Sequence, residues 1–379
     1  MSGSVRNDVL AILDKTEAEI AAAIKTHLAG LTWASANSVK KVNRLIKEIT
    51  LVRGNAWDEI ESLWTDTFKD FTVKEVEFAT AAIKAALPVV LKSPPTPTAK
   101  QLKDLVRTHL FEGRTLSKWA ENIRKADISR IEAQIKIGMS QNEPSHIIAR
   151  RIVGTAKLKG RDGVMQITRK NADSITRTAT IAYSNASRAL LYDGLKDVFE
   201  KELYVATLDG RTTAICQSLD GERFSIGEGP MPPVHFNCRS LRIAVVTEDA
   251  IGTRPTKPTT EKGLLREYTK QRGFSPVTKR SQLPRGTKGA FDTFSARRAR
   301  ELIGHVPAKT TYGQWLSTQS IEFQDDVLGT TKGKLFRKGG LKLDRFVNRR
   351  GDEIPLSQLA ASDAKAFKAA GLDPKDYTN

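Results

Sequence analysis

The sequence predicts an α+β protein with a mainly helical N-terminal half, a small β-rich module around 203–246 and a basic, partly extended C-terminal region. Three observations carry that expectation. Apolar residues recur at three- and four-residue steps through most of the first 200 positions, the period of a helix with one buried face. After Glu202 the texture changes to short apolar runs separated by Asp-Gly turns. Beyond Gly252 the chain turns rich in Pro, Thr, Lys and Gly.

Along the chain, residues 1–92 form the first expected helical region. Val9, Ile12, Leu13, Ile20 and Ile24 mark one apolar face. Val39, Val42, Leu45, Ile46, Ile49 and Leu51 mark a second, which Trp57, Ile60, Leu63 and Trp64 continue. Ser93-Pro-Pro-Thr-Pro-Thr breaks the pattern and reads as a linker. Residues 98–200 resume it, with Leu102, Leu105, Val106 and Leu110 on one face and a helix start at Thr115. Asn142-Glu-Pro-Ser145 caps the next helix, and a long Ala-containing helix runs from about Ile175 toward Phe199.

Residues 201–250 form the β-rich module. Leu203–Ala206, Glu222–Ile226 and Arg239–Val246 are its expected strands, and Gly227–Pro233 a rigid loop. Residues 251–290 read as an extended basic arm. The last region, 291–379, carries a short basic helix at Phe294–Arg300, a helical stretch from Thr311 to Leu328 and an Ala-rich helix near the end.

Composition narrows the function classes. No run of eighteen apolar residues occurs, so no transmembrane helix and no membrane partner is expected. The N-terminal residues carry charge within their apolar part and do not read as a secretion signal. Two cysteines give no disulfide scaffold, which points to the reducing cytoplasm during synthesis. The net charge of +18 makes nucleic acid a serious partner. Residues 252–350 hold 22 Lys and Arg against 8 Asp and Glu, so most of the imbalance sits there. The candidate phosphate contacts are Lys279, Arg280, Arg297, Arg298, Arg300, Lys334, Arg337, Lys338, Arg349 and Arg350. A solvated basic face is the plainer reading of the same residues.

The chemistry-bearing residues gather in ATLDGRTTAICQSLDGERFSIGEGPMPPVHFNCRSLRIAV, residues 206–245. It holds both cysteines, Cys216 and Cys238, one of five histidines, His235, and two Leu-Asp-Gly triplets. The two thiols and the imidazole are three candidate zinc ligands, one short of the four that structural zinc takes. Asp209, Asp220 or water would supply the fourth. A contact or bridge between the cysteines, or unpaired buried thiols beside a hydrogen-bonded His235, fits the same spacing. A hydrolytic reading would use Asp209 and His235, but no carboxylate cluster for Mg²⁺ stands out. There is no phosphate-binding glycine loop and no dinucleotide fingerprint. The Leu-Asp-Gly pair suits two turns, with Asp bonding local backbone and Gly taking positive φ.

Asp209-Gly-Arg-Thr-Thr-x-x-Cys216-x-x-Leu-Asp-Gly221, followed by Pro232-Pro-x-His235-x-Asn-Cys-Arg239, closely resembles the signature of phage minor head proteins. This is the head-morphogenesis family that includes the phage Mu F-like proteins. Thr311-Tyr-x-x-Trp-Leu, Glu322-Phe-Gln-Asp-Asp-Val-Leu-Gly329 and Lys334-Leu-Phe-Arg also resemble the C-terminal region of such proteins, so the likeness spans roughly 170–350. Two positions depart, since Thr213 and Ser240 stand where the family commonly has cysteine. The resemblance implies a module that folds without a four-cysteine metal cage. It also implies a structural role and no chemistry at Asp209, Arg211, Asp220, Gly221, Pro233, Asn237 or Arg239. A low-copy component of the procapsid and virion, inside the head near the portal vertex, is what it leads one to expect. The implied partners are the portal protein, a major capsid or scaffolding protein, and phage DNA held without sequence readout. The competing reading is a zinc-dependent nuclease or toxin-like hydrolase centred on Asp209, Cys216, His235 and Cys238. A DNA-binding protein free in the host cytoplasm is a third.

Overall fold

A computed structural model describes residues 2–29, 36–87, 95–158, 160–246 and 252–378. It bears out the α+β class, with fourteen α-helices and two three-stranded sheets among the described residues. The chain divides into two compact units. One holds residues 1–82, 92–195 and 235–238; the other holds 83–91, 196–234 and 239–379.

The first unit is helical. Its elements are α1 (Ser2–Leu28), α2 (Ala36–Ala86, of which this unit takes the part to 82), α3 (Ala99–Thr108), α4 (Leu116–Ser140), α5 (Ser145–Val153) and α6 (Met165–Asp193). The periodic residues do what their spacing predicts. Val9 and Leu13 of α1, Trp57, Ile60 and Trp64 of α2, and Ala172, Ile175 and Ala179 of α6 share one core. Ile20, Ile24, Val42, Leu45, Ile49, Ile131, Ile148 and Ile152 form another. Small residues on α6 (Ala172, Ala179, Ala182) are fully buried, which lets neighbouring helices approach closely. Thr98 and Thr115 start α3 and α4 with side-chain oxygens that accept backbone amides. Pro144, with no side-chain cap bond, starts α5, inside the Asn142–Ser145 stretch expected to cap it.

A buried polar network joins α1, α2, α4 and α6. Arg53 is fully buried and donates through Nε to Asp127 Oδ2 at 2.7 Å and through Nη1 to Thr16 Oγ1 at 2.6 Å. Thr168 Oγ1 donates to the other Asp127 oxygen, and Trp57 Nε1 completes the set. Not every residue expected on the buried face lies there. Val39 and Leu51, expected on the buried face, are exposed. Part of the expected linker at 93–98 lies outside the described residues; Pro95–Thr98 carry no regular structure.

The second unit is mixed. β1 (Lys201–Val205) lies between β3 (Arg223–Ser225) and β4 (Leu241–Ala244), antiparallel to both. These are the three strands that the sequence predicts. The second sheet was not foreseen. β2 (Leu208–Asp209) runs parallel to β5 (Thr253–Lys257), and β5 pairs antiparallel with β6 (Gly304–Pro307). A short helix, α7 (Ala214–Leu219), links the two Asp-Gly turns. The stretch read as an extended arm, 251–290, therefore needs correction, because it carries β5 and α8 (Glu261–Arg272). α9 (Lys288–Glu301) packs on α8 through Leu264, Leu265, Tyr268, Leu283, Phe291 and Phe294. Those apolar positions are too sparse among Lys, Arg and Thr to show a period in sequence. α10 (Tyr312–Ser317), α11 (Ile321–Leu328), α12 (Thr330–Arg337), α13 (Leu356–Ser362) and α14 (Ala364–Ala369) complete the unit around Trp315, Leu316, Leu335, Phe346 and Phe367.

Candidate functional site

The two Leu-Asp-Gly triplets are turns, and each Asp does more than cap its own turn. Asp209 ends β2. Its Oδ1 accepts the Arg211 amide at 2.9 Å, the local bond expected of Asp in a turn. The same carboxylate receives both terminal nitrogens of Arg239, with Nη2 to Oδ1 at 2.8 Å, and the Thr212 hydroxyl. Burial alone would raise this carboxyl. The Arg239 hydrogen bonds and charge, with the Arg211 amide, hold it below the ordinary carboxylate range. Gly210 is required by space, since a Cβ there would lie 2.6 Å from the Thr259 carbonyl oxygen.

Asp220 follows α7 and is buried. Its Oδ1 accepts the Ala206 amide at 2.6 Å and Arg254 Nη2 at 2.9 Å. Its Oδ2 accepts Arg254 Nη1 at 3.0 Å and the Tyr312 amide. Arg254 also donates to the carbonyls of Ala206 and Thr310. Gly221 takes φ +89°, and a Cβ there would meet Thr311 Cγ2 at 2.6 Å. Tyr312 closes the arrangement by donating its hydroxyl to the Asp209 carbonyl at 2.8 Å. The two motif carboxylates thus tie β2, α7, β5 and α10 into one scaffold.

A third pair was not predicted. Arg242 of β4 is fully buried and donates to Glu202 Oε2 of β1 at 2.8 Å, and to the carbonyls of Glu228 and Pro230 at 3.1 Å. Its guanidinium lies 4.6 Å from the Phe224 ring centroid. Arg242 therefore holds the Gly-Pro loop after β3 onto the sheet. Burial raises the Glu202 carboxyl and lowers Arg242, each opposed by the other's charge. The sequence signal was an Arg inside an apolar strand, Leu-Arg-Ile-Ala.

The His-x-Asn-Cys segment, 235–238, belongs to the helical unit. Asn237 takes φ +59°; its amide donates to Thr178 Oγ1 and its Nδ2 to Ser174 Oγ, both 2.9 Å and both on α6. Phe236, 41 % exposed, meets the Trp119 ring edge-on at 5.4 Å. His235 Nδ1 donates to the Phe236 carbonyl at 2.8 Å. A hydrogen bond with Cys238 raises its imidazole above the ordinary value, against the pull of burial. Pro233 follows a cis bond from Pro232.

Cys216 and Cys238 are both buried and are not joined by a disulfide, the bridge among the sequence alternatives. The Tyr204 hydroxyl lies 3.4 Å from Cys216 Sγ. Of the three predicted zinc donors, His235 and Cys238 stand together in the helical unit, where they share a hydrogen bond, and Cys216 belongs to the mixed unit. Asp209 and Asp220, the fourth ligands that the sequence allowed, are engaged by Arg239 and Arg254.

The ten candidate phosphate contacts divide. Arg280 pairs with Asp292, Arg297 with Glu301, Arg298 with Glu267 and Glu301, and Arg337 with Asp325. Lys279, Arg300, Lys334, Lys338, Arg349 and Arg350 are exposed and make no ion pair among the described residues. No described helix is long and apolar enough to cross a membrane.

Residues 100–243 match the family model described as phage Mu protein F like protein, which bears out the resemblance read from the motif. No curated protein and no solved structure shows a significant match to the chain.

Proposed function

We propose, from the match of residues 100–243 to the phage Mu F-like family, that this chain is a structural minor head protein of a tailed bacteriophage. In this reading it is a low-copy component of the procapsid and virion that sits inside the head near the portal vertex. It meets the portal protein and a major capsid or scaffolding protein, and touches packaged DNA through phosphates alone. The observation that carries the structural reading is the state of the motif carboxylates. Asp209 is engaged by Arg239, the Arg211 amide and the Thr212 hydroxyl, and Asp220 by Arg254 and the amides of Ala206 and Tyr312, so neither is free to activate water. Support for DNA contact comes from the surplus of basic residues between 252 and 350.

Co-expression with the portal protein of the same head tests the partner. The proposal expects the two to copurify through a tag on either one, at ionic strength high enough to strip non-specific charge contacts. Failure to copurify, with both proteins folded, would remove the portal from the account.

The hydrolase reading draws on Cys216, His235 and Cys238 as candidate zinc donors. It predicts metal-dependent DNA cleavage that His235→Ala abolishes while the fold survives. The structural reading predicts no cleavage by either form, and loss of stability or assembly in the variant.

A further inference from the structure

We propose that the hairpin of α8 and α9, residues 261–301, is the element that docks on the phosphate backbone of double-stranded DNA. This rests on the DNA contact proposed above and gives it a location. The hairpin holds 11 Lys and Arg against 4 Asp and Glu, half of the basic surplus of 14 between 252 and 350 in fewer than half of its residues. Its charges are displayed by a folded platform. Tyr268 packs edge-on to Phe291 at 5.4 Å and lies 5.3 Å from Phe294, and Leu264, Leu265 and Leu283 close the same cluster. The side chains between the apolar positions therefore point outward from a rigid pair of helices.

On α8 the outward cations Lys262, Arg266 and Lys270 are spaced four apart, so they share one face at a rise of about 6 Å each, and Arg272, also exposed, lies 5.7 Å from the Tyr268 ring centroid. Arg266 is anchored by a two-pronged pair with Asp326, at 2.6 and 2.8 Å. Lys262 and Lys270 flank it, exposed and with no ion pair among the described residues. Arg285 in the connection and Arg300 near the end of α9 are exposed in the same way. A DNA duplex offers a dense row of phosphates to such a surface, and binding gains chiefly from counterion release.

The rings of the hairpin argue for duplex over single strand. Tyr268, Phe291 and Phe294 are buried in its core, and no aromatic side chain of 261–301 is exposed. Single-strand binders without sequence preference rely on exposed rings as stacking platforms. Here the outer faces offer charge and hydroxyls, which read backbone and not bases.

The test is binding of the full chain to a short labelled DNA duplex, and to a single strand of equal length, across a salt series. One variant carries Lys262→Gln, Lys270→Gln, Arg285→Gln and Arg300→Gln. A control of equal charge carries Lys334→Gln, Lys338→Gln, Arg349→Gln and Arg350→Gln. The proposal expects the hairpin variant to bind the duplex at least tenfold more weakly near 0.1 M salt, and its salt slope to fall by about 4. The control should keep most of its affinity and slope. Equal losses in both variants, with unchanged thermal melts, would overturn the location while leaving DNA contact standing. Preference for the single strand would overturn the duplex assignment. No binding by the unaltered chain would sink the DNA contact itself.

Discussion

Asp220 and Arg254, thirty-four residues apart, meet through two hydrogen bonds of 2.9 and 3.0 Å, and the same carboxylate accepts the amides of Ala206 and Tyr312. The second Leu-Asp-Gly of the motif is therefore a junction for four chain segments. A carboxylate so enclosed is a structural part, and its value should appear in stability and not in catalysis.

Replacing it tests this directly. Asp220→Ala leaves the Arg254 guanidinium, largely buried, without its partner and two amides without an acceptor. The expected cost is about 3–5 kcal/mol, read by chemical denaturation. Asp220→Asn, which keeps acceptor capacity on one oxygen, should cost less. A loss below about 1 kcal/mol in the alanine variant would contradict the junction.

Acid should act on Asp209 in a defined direction. Arg239 and the Arg211 amide hold its folded carboxyl below its unfolded value. Its contribution is then present above the unfolded value, near pH ~4, and is lost as pH falls through the folded one. The stability gap between the unaltered chain and Asp209→Asn should be steady from about pH 5 to 7 and should shrink below roughly pH 4. A gap that stays constant into strong acid would show that the Arg239 pair is not what Asp209 provides.

The buried Arg53–Asp127 pair in the helical unit makes a different prediction. Asp127→Ala strands a fully buried guanidinium and should cost about 3–5 kcal/mol. Adding Arg53→Met, which removes the stranded charge at similar length, should recover part of that loss. Additive losses in the double variant would mean the pair is not coupled.

Asn237 combines a hydrogen bond to Ser174 with a left-handed backbone. Asn237→Ala and Asn237→Gly lose the same side-chain bond, but only Ala is strained at positive φ. The alanine variant should be the less stable by about 1 kcal/mol in thermal or chemical melts. Equal stability would place the cost in the side chain alone.

These pairings also mark what sequence could and could not reveal. The helical unit was legible because Trp57, Ile60 and Trp64 repeat at the helical period and all three are buried. Leu51, two residues after Ile49, stands on roughly the opposite side of the helix from the stripe and is 64 % exposed. β5 was missed for two reasons. Pro255 argues against a strand, yet it stands before Thr256 and Lys257, the two residues that pair with β2. That pairing joins Leu208 to Thr256, a separation that no local pattern reports. The motif itself was visible as a motif, with Asp209, Asp220 and Asn237 in place. Their partners Arg239, Arg254, Tyr312 and Ser174 are another matter. Arg239 lies within the motif and Tyr312 within Thr311-Tyr-x-x-Trp-Leu, but Arg254 and Ser174 lie in no quoted pattern, since contacts across a fold leave no spacing in the chain.

The most direct measurement of the whole account is quantitative mass spectrometry of purified, washed and nuclease-treated phage particles and procapsids, with the portal and major capsid proteins as internal standards. A structural minor head protein should be present at a few copies per particle and stay through washing. Its absence from both particles and procapsids, with the portal present at its full complement, would contradict the reading.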